Sequence, residues 1–397
     1  MAIKVYTNLD QGAPVLNGLV GQAIAVLDAV LVNGYGSVPI TSITRAGAVA
    51  TVTTSAAHGF ATGDSALIAG ANEADYNGDV EVTVLTTTTF TFPVANAPTT
   101  PATGTLTSKR ASANFTKSFS ASNVAAYRAN DLASNRHYLQ IRDDGTGTGG
   151  NREFFLRGFE TMSSATAGTG PFPTVAQNTN AYSMSKSSTT DSTARPWVII
   201  TDGFMVYMWV HYAGTAANGL AAAYNGIYTC CFGDIKSYKA GDAYQTIVGG
   251  STSENQTTSV SGSLGTGVTA IPTTSTFAAA TPICFPRDFT GTGSAKLASL
   301  MATGENAIIS ASVQVQYPNP VDGGLYIVPV AVVQGLPSAI RGVMCGMYES
   351  MHGVNTHQSG DILSNVGGLS GRKLRWMSCM NGGSNAGHFI DVTGPWR

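Results

Sequence analysis

"RPWVIITDGFMVYMWVHY", residues 195–212, sets two strongly apolar arms around Asp202-Gly203. An Asp-Gly pair between apolar runs is hairpin chemistry, because glycine supplies the positive φ that tight turns between antiparallel strands require. The competing reading is a membrane-spanning helix. Asp202 and Gly203 interrupt the run 197–210, and it is shorter than the ~20 residues such a helix needs. The stretch therefore reads as two strands, and its aromatic residues at alternating positions as core before sugar-stacking surface.

The same pattern recurs on both sides. "NRHYLQIRDDGTGTGGNREFFLRGFETM", 135–162, reads as strand, loose Asp/Gly turn and strand, followed by a Ser/Thr/Gly/Pro-rich loop over 163–195. "NGIYTCCFGDIKSYKAGDAY", 225–244, adds a strand and a polar loop, and 249–282 is a low-charge Gly/Ser/Thr stretch that marks a soft boundary. Beyond it "SAKLASLMA", "NAIISASVQVQYPNP", "GGLYIVPVAVVQG" and "RKLRWMSCM" read mostly as strands between glycine and proline turns.

Upstream, one segment has a different period. "VLNGLVGQAIAVLDAVLV", 15–32, spaces Leu16, Leu19, Val20, Ala23, Leu27, Val30 and Leu31 at three and four residues, which predicts a helix stopped by Asn33-Gly34. Its plain role is to cover a sheet. Its sharper role is to meet a neighbouring subunit, which makes Leu16, Leu19, Val20, Leu27 and Leu31, with Trp396, candidates for an assembly interface. From Thr41 alternation returns: "ITSITRAGAVATVTT", "DSALIAG", "DYNGDVEVTVL" with an Asn-Gly turn and Val80, Val82 and Val84 on one face, then "TTTTFTFPV". These make a small all-β module over 41–107.

The residues His58-Gly59-Phe60, Thr62-Gly63-Asp64, Ile68 to Ala71, Tyr76-Asn77-Gly78 and Thr89 to Phe92 resemble a β-module of tailed-bacteriophage tail and baseplate proteins. It covers under a fifth of the chain. The resemblance implies a structural appendage with no catalytic residue, and His58 beside a glycine reads as a turn-stabilising hydrogen bond. The end of the chain, "IRGVMCGMYESMHGVNTHQSGDI" through "GHFIDVTGPWR", and its start, "IKVY", "GAPVL" and "NGYG", are similar to virion structural proteins of tailed phages. Both termini thus belong to one body that the module interrupts.

Of 397 residues 11% are charged, against roughly a quarter in average soluble proteins. So few charges predict a surface largely covered by copies of the chain or by partners. With a net charge of −2 and no Lys/Arg run, the footprint of a nucleic-acid binder is missing. "MAIKVYTNLDQG" lacks the apolar core of a secretory signal. Five cysteines, with Cys230 and Cys231 adjacent and Cys284, Cys345 and Cys379 dispersed, read as reduced and mostly buried.

Candidate chemistry is sparse. His352 and His357, with Asp361 and Glu349 nearby, form the one concentrated His/carboxylate group, but five-residue spacing across Gly353 suits a loop better than a metal-binding helix face. Asp143-Asp144 could hold calcium or cap backbone amides. No G-x-S-x-G or Walker-type motif occurs, and Glu153, Glu160, Asp234 and Asp242 cannot be paired by spacing into a glycosidase site.

The expectations are therefore these. The fold is mainly β: a sandwich or barrel-like body with one N-terminal helix segment (1–40), the inserted module (41–107), a first body part (108–250) and a C-terminal part (251–397). The chain is expected to be a non-enzymatic component of a phage tail, baseplate or head–tail region, with no cofactor or metal. Capsid decoration and a host-receptor-binding fibre or spike are the alternatives. Expected partners are the chain itself, as a trimer or higher ring, and other virion proteins. A host surface is a further partner under the receptor-binding alternative; no nucleic acid or membrane is expected. The place is the virion, after synthesis in the bacterial cytoplasm.

Overall fold

The computed structural model describes residues 2–147, 149–216, 220, 227–250, 283–301, 318–334, 339–352, 357–366, 369–378 and 387–397. Of the expected boundary stretch 249–282, residues 251–282 lie outside the described residues, as does the segment 306–317. Within them the chain is mainly β, as expected, in three antiparallel sheets.

The hairpin at 197–211 is its centre. Strand Trp197–Thr201 pairs with Met205–His211, Trp197 opposite Val210 and Thr201 opposite Val206, and Gly203 has φ 85°. All five residues of the first arm are buried. Trp197 and Ile199 face one apolar cluster while Val198 and Ile200 face another. This explains a continuous apolar run where a half-solvated strand would alternate.

The hairpin lies in a thirteen-stranded sheet. From Lys4–Thr7 at one edge it passes through Trp197–Thr201, Met205–His211, Ile227–Asp234, Thr246–Gly250, Ile283–Phe285, Lys296–Met301, Ile327–Gln334 and Ala339–Ser350. It closes with Gly387–Asp391, Lys373–Ser378 and Ile362–Ser364, and the thirteenth strand, Lys236–Ser237, pairs with Ala339–Ser350 off this path. Residues from both ends of this order, Val198 and Tyr207 with Met344, Met377 and Ile390, share one buried cluster, so the sheet rolls around it.

On the sheet's other face lies a six-stranded sheet whose strands Tyr138–Arg142 and Glu153–Met162 form the expected hairpin. The expected loop at 163–195 instead contains two strands, Gly168–Phe172 and Tyr182–Ser185, which pair with the two halves of Glu153–Met162. Burial between sheets, which composition does not reveal, makes this Ser/Gly-rich segment a strand; every residue of Tyr182–Ser185 is buried.

The helix is shorter than expected: α-helix Gln22–Leu27 continues as a π-helical turn, Asp28–Asn33, and stops at Gly34. Residues 15–21 are held otherwise. Leu16 bridges to Arg195, the Gly18 amide donates to the Asp191 carbonyl at 3.0 Å, and Gly21 has φ 80°. Leu27, Val30 and Leu31 pack into the core between the two sheets.

The third sheet has seven strands: Tyr35–Ala46, Val49–Thr54, Ser65–Ala71, Gly78–Glu81, Thr83–Thr86, Thr89–Pro93 and Gly104–Arg110. It encloses its own cluster, including Ile43, Val52, Phe60, Ile68, Val82, Phe90 and Phe92. Its first and last strands lie side by side, Tyr35 opposite Arg110, so the chain enters and leaves this unit at one point. Asn77 shapes the turn before Gly78, its side chain bonding both the amide and the carbonyl of Ala71. His58 Nδ1 accepts the Phe60 amide and its Nε2 donates to the Thr86 carbonyl, both at 3.0 Å, so its role is to hold the turn.

Candidate functional site

The most organised polar site is the joint between the seven-stranded module and the edge strand Lys4–Thr7. Arg110 ends the last module strand and is buried. Its Nη2 reaches Asp64 of the module at 2.7 Å, its Nε reaches Asp10 at 3.2 Å, and its Nη1 donates to the Val5 carbonyl at 3.2 Å. Burial pulls the guanidinium pKa down, but Asp10 and Asp64 overcome this and the net direction is upward. Tyr35 donates its hydroxyl to Asp10 at 2.6 Å, and Tyr6 donates to the Ala111 carbonyl at 2.8 Å. Burial, then Asp10, pushes the Tyr35 phenol far up.

Two cavities flank this edge strand. The larger, about 470 Å³, is lined by Lys4, Ser65, Asp79, Glu81, Asn114 and Asp202 among others. The smaller, about 170 Å³, includes Arg110 and Lys373. Lys4 Nζ bonds Asp79 and the Ser112 carbonyl. Asp202 accepts the Phe204 and Met205 amides and pairs with Arg397 at 2.8 Å. Asp79 and Asp202 are thus engaged in holding parts together, and the arrangement works as a fixed joint.

The sequence-derived candidates are dispersed. His352 Nε2 accepts the Tyr326 amide at 2.8 Å, while His357 lies 3.9 Å from Asp361 and rests against Trp376 and Phe389. Burial lowers the His357 pKa, opposed by Asp361. Glu349 faces His388 at 3.2 Å. Among the described residues no group of three or more His, Cys, Asp or Glu is placed to hold a metal ion.

Asp144 accepts the Thr146 amide and hydroxyl, an Asx-type turn, and Asp143 points inward to Lys186 and the Ala23 amide. Glu160 pairs with Arg287 at 2.9 Å, and Asp242 takes Arg341 through both oxygens at 3.0 Å, which holds its carboxyl below the ordinary range despite burial. Asp234 accepts the Thr246 hydroxyl and the Asn135 amide. Glu153 accepts the Gly149 amide and is raised by burial. The four described cysteines, Cys230, Cys231, Cys284 and Cys345, are free and buried, and burial pushes the Cys345 thiol up to about 12.

The interface candidates need correction. Leu16, Leu27 and Leu31 face the chain's own core. Trp396 packs on Tyr207, with ring centres 5.6 Å apart, and donates its indole N–H to the Asp391 carbonyl. Val20 is half-buried, and Leu19 is exposed. The apolar stripe was legible, but helical periodicity cannot say which molecule covers it. Arg110, Lys186 and Arg341 were missed because each stands outside any motif. Their one available signal was rarity: in a chain with so few charges, a solitary cation is worth tracing to a buried partner.

No family model matches the chain, and no curated protein matches it. Among solved structures it has partial similarity to the "Phage phi92 endosialidase", at 14% identity, covering 54% of this chain and 35% of that one, with a TM-score of 0.17. The chain thus spans about a third of that protein's length. By its name that neighbour is an enzyme. The expectation of a non-enzymatic chain is withdrawn, because no observation on this chain positively shows that it lacks an activity. A superposition of this quality transfers neither a site nor an activity.

Proposed function

We propose that the chain is a component of a tailed-phage virion with a structural or receptor-binding role, assembled with copies of itself and docked to neighbouring virion proteins. The observation that carries this reading is the module. The residues that resemble phage tail and baseplate modules form one sheet around one core, and Arg110 and Lys4 seat it against the edge strand. A unit fixed in one orientation is suited to act as a spacer or a contact. Val49 and Leu85 are exposed on it and are available to such a contact. The scarcity of charge supports a surface that is covered in the assembled state.

The test is the mass of the intact protein by sedimentation, alone and after mixing with particles lacking it. A trimer or higher ring, taken up by the particles, is expected. Binding to host cells in place of particles assigns the receptor-binding form. A stable monomer that ignores both particles and cells sinks the proposal.

A further inference from the structure

Lys186 and Asp143 have side chains with no solvent exposure at all. Lys186 follows strand Tyr182–Ser185 and Asp143 follows Tyr138–Arg142. Both backbones are pinned: the Lys186 amide donates to the Arg152 carbonyl at 2.8 Å, the Asp143 amide to Asn123 at 2.9 Å, and Gly21 donates to the Asp143 carbonyl at 3.0 Å. The side chains meet directly, Lys186 Nζ against Asp143 Oδ1. Each has one further polar partner. Nζ donates to the Leu19 carbonyl at 2.6 Å, and Asp143 Oδ2 accepts the Ala23 amide at 2.8 Å.

We propose that Lys186 and Asp143 condense into an intramolecular isopeptide bond between Nζ and Cγ. The Nζ lone pair attacks Cγ, the Cγ–Oδ1 bond breaks, and Oδ1 leaves as water. From the ion pair, the ammonium supplies both protons of that water and the carboxylate its oxygen. No oxidant or other reactant is required. During attack the Ala23 N–H steadies the charge developing on Oδ2, as an oxyanion donor does. The Leu19 carbonyl holds one Nζ hydrogen and so orients the lone pair. Fixing amine and carboxyl in contact supplies the proximity that makes such a reaction effectively unimolecular.

Desolvation favours the reactive forms. Burial lowers the Lys186 pKa and raises that of Asp143, so transfer of one proton within the pair gives a free amine beside a carboxylic acid. The product also accounts for the site's two additional partners. The new amide N–H would donate to Leu19 and its carbonyl oxygen would keep the Ala23 bond, so both polar groups of the amide have a partner. A buried ion pair, by contrast, incurs the desolvation of two charges.

Intact-mass measurement of the full chain tests this directly. The expected result is a mass lower than that of the sequence by one water, with a branched proteolytic peptide joining residues 143 and 186; the Lys186→Arg variant has the full mass. An unmodified wild-type mass overturns the proposal. So does a deficit that maps to Asp144-Gly145 or Asp202-Gly203, where a succinimide also loses water, or one that persists in Lys186→Arg.

Discussion

His137 donates its Nδ1–H to the Thr246 hydroxyl at 2.8 Å, and that hydroxyl donates to Asp234 at 2.6 Å. Burial, with a smaller push from Arg128, pulls the imidazole pKa from 6.5 to about 4, so the ring is neutral at pH 7. Between those values the unfolded chain takes up a proton that the folded chain refuses. Stability from this group is complete above pH 6.5 and is lost as pH falls towards 4, by about 3 kcal/mol at most from the energy of a pKa shift. Burial raises Asp234, which acts in the opposite sense, so the histidine is isolated by comparison with His137→Asn. The urea midpoint of the wild type should fall more steeply than that of the variant through this window. Equal slopes would show that the ring titrates alike in both states. Neither the shift nor its cause was legible in "NRHY", because the neighbours that bury His137 come from residues far along the chain.

Gly18 shows why helical periodicity over 15–32 overreached. A Cβ at this position would lie 1.8 Å from the Thr189 carbonyl oxygen, a backbone atom that cannot swing aside. Gly18→Ala should therefore destabilise the protein by about 1–3 kcal/mol, the range for forced overpacking, although alanine is the better helix former. An unchanged denaturation midpoint would mean that the segment has room to shift. Elements defined by local chemistry were readable: the hairpin at Asp202-Gly203, the hairpin at 138–162, and the stop at Gly34. Those defined by distant partners were not. Tyr182–Ser185 is a strand because Glu153–Leu156 lies beside it and two sheets close over it, while its own residues resemble a loop.

Across the chain, class was legible and assembly of its parts was not. Alternating β-branched residues and glycine turns announced a mainly β protein, whereas the joint at Arg110 depends on Val5 and Asp10 from the N-terminal segment meeting Asp64 of the module. The adjacent chain ends of the module, Tyr35 beside Arg110, have a consequence for the order of folding. Strand Lys4–Thr7 must find Trp197–Thr201 across a long stretch of chain. An unfolded module lengthens that loop by less than a doubling and so adds roughly 0.5 kcal/mol of loop-closure entropy, which grows only as the logarithm of loop length. Once folded, it behaves as a short link, because its ends are already together. Module formation should then precede closure of the N-terminal edge. Phe90→Ala, which hollows the module core, should slow refolding of the body more than it hastens unfolding, as followed by a tryptophan signal. On this account the inserted unit shortens the search that the rest of the chain makes for its own first strand.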